Sequence, residues 1–284
     1  RGWRYNQPRI NLVAGGGGGR GGGKSKDSMT IGGQPGIHGN EDLSSTQLAA
    51  LALFAAHQFG AKVDNSVWVD IVEFTLDHQE PEGPEHTRHD PGNPNPPRDR
   101  ARGFVYLKGS PDRSEGAATG AMTACGVANL LMAKQVLGEA SKGRKIWSER
   151  GYDRSVDMAI WDGLAWLDKN WSPFRNPVKN GYHTYYLYSI ERAQDLRGKN
   201  LIGTHAWYPE GAKQLLSRAQ VTKVGDPTDD RAPEKDAVFW NTNSTHQPKD
   251  VLDTCFTLLF LKRATRGVAP GPFTPADGRP LDNR

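Results

Sequence analysis

Four stretches decide how this chain is read: TQLAALALFAA (46–56), TACGVANLLMA (123–133), HTYYLYSIERA (183–193) and TCFTLLFLKRA, which starts at Thr254. In each, the eleventh residue is alanine: Ala56, Ala133, Ala193 and Ala264. A unit that recurs at long, uneven spacing is the mark of helix pairs joined by loops of variable length. The segments are apolar nearly all round, as in a helix buried on most of its faces.

Helices of a second kind lie between them. Val156, Ile160, Leu164, Leu167 and Trp171 recur at helical spacing, with Asp157, Asp162, Asp168 and Lys169 in between. Trp68, Val72 and Leu76 repeat the pattern more weakly, with Asn65 as a candidate N-cap. Gly211 to Gln220 forms the third. Buried and amphipathic helices therefore alternate, and that contrast predicts an all-α fold, an α/α toroid of two concentric helix layers. An open solenoid would make its helices similarly amphipathic. No run alternates over a strand length, so β-structure is not expected.

The Gly and Pro residues crowd into residues 15–40, 81–98 and 265–280. The chain divides accordingly into 1–9, the tail of a preceding repeat; 10–40, a Gly-rich insertion; 41–265, the repeats; and 266–284, a Pro/Gly-rich tail. The ring is expected to be incomplete, with long Gly/Pro-rich loops.

The amphipathic helices end in Gln, followed by Gly and an aromatic. Gln79 is followed by Gly83 and, after an insertion, by GFVY from Gly103; Gln220 is followed by Gly225 and then by Phe239–Trp240. This pattern resembles the Gln–Trp repeat of squalene–hopene cyclases and the related repeats of protein prenyltransferase β-subunits. The chain opens with GWRY from Gly2, similar to a repeat tail, so the resemblance implies the C-terminal portion of a longer toroid. In such a motif the Gln bonds free carbonyls at a helix end, Gly takes up positive φ, and the aromatic plugs a gap.

The resemblance also implies places to look for chemistry. Cyclases of that family protonate an alkene from an Asp-x-Asp-Asp-Thr motif. The matching positions here are Asp250, Val251, Leu252, Asp253 and Thr254, so the protonating acid is replaced by Leu252 and Asp253 is the remaining catalytic candidate. Its alternative role is to cap the helix that follows, as Asp42 caps the first. Prenyltransferases hold zinc with an Asp-x-Cys pair and a later His. Asp253 and Cys255 match the pair, but no His follows them, and two ligands do not make a site. No cofactor is predicted.

Aromatic residues are the other candidates. Tyr182, His183, Tyr185 and Tyr186 open the third buried helix, with Trp207 and Trp240 in nearby segments. Together with Cys255 they are the predicted ligand-binding residues, because aromatic faces suit a polyisoprene chain or a carbocation. The alternative is that these rings only fill the interface between helix layers. Helical spacing puts Tyr182, Tyr185 and Tyr186 on one face.

Several other motifs are set aside. Cys125 and Cys255 read as buried free thiols. The run HQEPEGPEHTRHD (78–90) holds His78, His86, His89 and Asp90, but its Pro and Glu content reads as a solvated loop. Gly18 to Ser25 satisfies the phosphate-loop pattern, but KDSMTIGGQPG follows it where the loop needs a helix. The net charge of +4 is scattered with no basic stripe, which argues against nucleic acid. The longest apolar run, Leu48 to Ala56, is shorter than the about 20 residues that cross a bilayer. Peripheral membrane contact stays open.

The leading expectation is a repeat protein that binds an apolar, isoprenoid-like ligand or a protein partner. The alternatives are an active terpenoid cyclase or prenyl-transfer enzyme, and a toroid acting on polysaccharide.

Overall fold

A computed structural model describes residues 41–110, 113–225, 228, 231, 233–242 and 249–263. The described residues are mostly α-helical. In chain order the elements are α1 (Leu43–Gln58), α2 (Asn65–Asp77), β1 (Glu85–Thr87), β2 (Arg98–Arg100), α3 (Arg113–Gly116), α4 (Gly120–Glu139), α5 (Ser141–Glu149), α6 (Tyr152–Lys169), α7 (His183–Arg197), α8 (Trp207–Leu216), β3 (Gln220–Val224), β4 (Lys235–Phe239) and α9 (Lys249–Lys262). The tail assigned to 1–9, the insertion at 10–40, the 266–284 tail and the phosphate-loop match lie outside the described residues.

The helix ends follow from local chemistry. Asp42 sits in extended backbone before α1, and its carboxylate accepts the Ser45 N–H at 2.7 Å. Gly60, at φ +86°, supplies the left-handed turn that stops the chain just past α1. Asp64, not Asn65, caps α2, because its side chain reaches the Ser66 N–H at 2.8 Å. Gly198, at φ +62°, closes α7. The helix expected over Gly211 to Gln220 is α8, which starts earlier, at Trp207, and ends at Leu216. Pro209 falls in its first turn, where a missing N–H costs nothing.

α4 is the centre of the molecule and packs against α1, α2, α5, α6 and α7. Its small residues allow that closeness. A Cβ on Gly126 would stand 2.5 Å from the Phe104 ring, and one on Gly163 of α6 would stand 3.1 Å from the same ring. Phe104 is thus wedged between α4 and α6, fully buried. α7 packs on α4 at one side and on α9 at the other, so α1, α4, α7 and α9 follow one another side by side. α2 and α6 lie against α4, and α8 lies against both α7 and α9.

Two antiparallel hairpins, β1–β2 and β3–β4, depart from the expectation of no β-structure. Their residues are mostly exposed, so pairing is carried by backbone bonds and leaves no alternation to read in the sequence. Each hairpin occupies an insertion between a Gln and an aromatic. Gln79 pairs with Phe104 across the first, and Gln220 with Phe239 across the second.

A similar bond follows each hairpin. The Phe104 N–H donates to Thr123 Oγ1 at 3.1 Å, and the Trp240 N–H donates to Thr254 Oγ1 at 3.0 Å. These threonines open two of the four segments from which the sequence was read. The carbonyl at the end of α8 is satisfied by Trp240, whose Nε1 donates to Leu215 O at 2.7 Å. Gln79 instead reaches across to α6, donating to Ala159 O at 2.9 Å, and does not bond the end of its own helix. Among the described residues no helix is long and apolar enough to cross a membrane.

Candidate functional site

The first two turns of α1 and α9 and the first turns of α4 and α7 surround a cavity of about 440 Å³. Its wall is largely hydrocarbon and ring: Leu48, Tyr106, Met122, Tyr182, Tyr185 and Phe256, with Leu252 beside them. Glu115, Lys179 and Asp253 are the charged residues on it. The Lys179 ammonium lies 5.5 Å from the Tyr182 ring centre, and the Tyr185 and Phe256 rings are 5.3 Å apart.

The loop before α7 sets the position of Tyr182. This residue adopts φ +61°, a left-handed conformation that costs a non-glycine residue about 1 kcal/mol or more. Bonds on either side hold the loop there. Asn176 accepts the Ala121 N–H at 2.9 Å and donates to Gly181 O at 3.2 Å, and the Gly120 N–H donates to Pro177 O at 3.2 Å. The same bonds use up donors at the start of α4, where Thr119 also takes the Met122 N–H at 3.2 Å. Asp42 does the same for α1. These helix ends therefore spend their N–H groups internally and do not present them to a ligand.

Behind Tyr185 runs a buried polar contact between helices. Its hydroxyl donates to Gln47 Oε1 at 2.8 Å and lies 3.2 Å from Cys125 Sγ, which is 3.6 Å from Ser189 Oγ. Burial pushes the Cys125 thiol up to about 12, so it stays protonated and unreactive.

Asp253 lines the cavity but is 1% exposed. It lies inside α9 and does not cap it, in contrast to Asp42. One carboxylate oxygen accepts the Thr184 hydroxyl at 2.6 Å; the other accepts the Thr242 N–H at 2.6 Å and its hydroxyl at 2.9 Å. Three donors on one carboxylate tie α9 to α7 and to the segment after β4. A carboxylate in that setting is an acceptor that joins three pieces of chain. A proton donor to an alkene needs a carboxyl oxygen free to face the ligand, and both oxygens of Asp253 are taken up by Thr184 and Thr242. Leu252, at the middle position of the acid motif, contributes hydrocarbon to the wall.

The remaining predicted residues fall elsewhere. His183 is buried off the cavity, with Nε2 2.9 Å from Pro173 O and Nδ1 3.3 Å from Arg218. Burial lowers its pKa to about 4. Tyr186 is fully buried against Trp171, at 6.2 Å between rings, and burial pushes its hydroxyl well up. Trp207 packs edge-on to Phe260 and Tyr208, and its Nε1 donates to Lys199 O at 3.0 Å. Trp240 bridges α8 and α9 as described. Tyr182, Tyr185 and Tyr186 thus do not share one face, because Tyr182 precedes the helix and only Tyr182 and Tyr185 reach the cavity.

Cys255 is exposed, where the sequence reading buried it. Two residues along a helix turn the chain by more than half a circle, so Cys255 points away from the buried Asp253. Among the described residues no three His, Cys, Asp or Glu side chains gather to hold a metal. The 78–90 stretch is not a free loop: His86 in β1 reaches Asp168 of α6 at 2.7 Å, and His78 is buried against Phe74.

Leu48, Tyr106, Met122 and Phe256 were not singled out from the sequence. Leu48 and Phe256 belong to the apolar segments, where lining and core residues look alike, Met122 lies just before the second of them, and Tyr106 follows the Gly–aromatic pair. Compared with protein-family models, with curated proteins and with solved structures, the chain finds no match.

Proposed function

We infer that this chain is a Gln–Gly–aromatic repeat protein of the α/α-toroid type whose cavity takes up an apolar, isoprenoid-like chain without acid chemistry of its own. The inference of two helix layers rests on the order α1, α4, α7, α9 set against α2, α6 and α8, and on the similar bonds to Thr123 and Thr254. The ligand reading rests on one observation: the N-terminal ends of four helices converge on a cavity walled by tyrosines, phenylalanine, leucine and methionine. Its volume lies in the range of small-molecule sites. The saturated Asp253 and the hydrocarbon at Leu252 count against a cyclase.

The test is direct binding of geraniol and farnesol to purified protein, read by intrinsic tyrosine and tryptophan fluorescence and by native mass spectrometry. Each buried methylene contributes about 0.8 kcal/mol, so farnesol should bind at least tenfold more tightly than geraniol. Leu48→Glu, at a partly exposed position, places a charge on the wall and should abolish binding without unfolding the protein. Failure of both prenols to bind, or binding indifferent to Leu48→Glu, overturns the reading.

A further inference from the structure

A second cleft of about 560 Å³ opens at the other end of α7, between that end, α6 and the β1–β2 hairpin. It shares no lining residue with the aromatic cavity. The 15 residues of α7 separate the two by about 20 Å. The cleft brings together His86, Arg88, Asp99, Trp161, Arg197 and Lys199.

Most of its charges answer one another. Arg88 forks onto Asp99, with Nε 2.9 Å and Nη2 2.6 Å from the two carboxylate oxygens. His86 is 2.7 Å from Asp168 Oδ2, and His205 is 3.6 Å from Oδ1. Arg197 differs. Its Nη1 donates to Gln194 Oε1 at 2.7 Å, a neutral acceptor, and among the described residues no carboxylate lies within ion-pairing distance of it. Both guanidinium groups lie over the Trp161 ring, Arg88 at 3.4 Å and Arg197 at 5.5 Å. Two like charges therefore share the Trp161 face, and of the pair only Arg88 has a carboxylate partner, Asp99. Burial, and after it Arg88, lower the pKa of Arg197 to about 10. An unanswered, partly desolvated cation facing a cleft is an unfavourable arrangement that an entering anion relieves.

We propose that this cleft binds the carboxylate of a small acidic molecule on the Arg197 guanidinium, with the apolar body of that molecule against Leu164 and Leu201. Both leucines line the cleft. The fork of donors on Arg197 matches a planar carboxylate. With its histidines neutral, the lining sets Arg88, Arg197 and Lys199 against Asp90, Asp99 and Asp168, a formal balance of zero with no surplus of positive charge. That balance suits a monoanion better than a phosphate dianion. The loop after α7 shapes the rim, with Gly198 and Gly203 in left-handed conformations at φ +62° and +55°. A side chain at Gly203 would overlap the Asp168 carboxylate.

The probes are benzoate and inorganic phosphate, titrated into the full chain at low ionic strength and followed by calorimetry. Benzoate is expected to bind with a Kd of about 1 mM or tighter. Arg197→Gln should weaken it at least tenfold and leave the thermal midpoint unchanged or raised, since an unpaired charge is removed. Asn200→Glu, at an exposed lining position, adds a like charge and should weaken benzoate several-fold without touching the core. It tests the proposal even if Arg197→Gln fails to fold. Prenol binding should be unchanged in both variants, which keeps the two sites separable. Absence of benzoate binding, or binding unaffected by either variant, overturns the site. Phosphate binding more tightly than benzoate overturns the carboxylate assignment.

Discussion

Replacing Asp253 separates an acceptor that joins three segments from an acid that acts on a substrate. In Asp253→Asn the amide oxygen can face Thr242 and keep both of its donors, while the amide NH2 turns to the Thr184 hydroxyl, which accepts. Geometry survives and charge is lost. Hydrogen bonds to a charged group contribute about 1.5–3 kcal/mol and neutral ones about 0.5–1.5, so Asn should cost about 1–2 kcal/mol of stability. Asp253→Ala leaves the Thr242 N–H and the Thr184 hydroxyl without their acceptor, at a position only 1% exposed, and should cost about 3–5 kcal/mol. Equilibrium urea denaturation followed by circular dichroism measures both. A double-mutant cycle with Thr184→Val should return a coupling of about 1 kcal/mol. Farnesol binding should persist in the Asn variant. The reasoning fails if Asn is as stable as wild type, or if it stays stable while ligand binding or turnover disappears.

Four further outcomes follow from the packing. Gly103→Ala would place a methyl 2.5 Å from Ala118 Cβ and 2.8 Å from the Thr123 hydroxyl oxygen that receives the Phe104 N–H, and should cost about 2–3 kcal/mol in the same denaturation assay. Phe104→Ala should cost about 3–5 kcal/mol by emptying the α4–α6 wedge. His183 is held neutral in the fold, with a pKa near 4 against about 6.5 unfolded, so its contribution is intact above pH 6.5 and is lost as pH falls towards 4, by about 3 kcal/mol in all. Glu191 works the other way. Burial outweighs the adjacent Arg192 and raises its pKa to about 7, so its contribution is present below its unfolded pKa and lost as pH rises through 7. The His183 effect is therefore read as the difference between wild type and His183→Gln across that range, which should vanish if the ring is accessible to solvent. Iodoacetamide should label Cys255 in the native protein and Cys125 only after unfolding; equal labelling of both would contradict the burial of Cys125.

The residues alone determined seven of the described helices, all but the short α3 and α5. Apolar runs at 46–56, 123–133 and 183–193 and the mixed stretches between them carry helical period in their composition, which needs no partner to be visible. The capping by Asp42 was equally legible, because a cap acts within its own turn. Tertiary structure decided what those patterns were for. A tyrosine at a helix start reads the same whether it lines a cavity, as Tyr185 does, or fills the core, as Tyr186 does. The exposed side of α9 and the buried side of α4 are similarly apolar, so Cys255 and Cys125 differ only in which neighbours arrive. The hairpins rest on backbone pairing between residues of no β pattern, and the Asp253 and Arg197 environments are made by Thr184, Thr242, Arg88 and Trp161, brought from far along the chain. Short-range periodicity is a property of the segment; burial, partnership and charge balance are properties of the assembled whole.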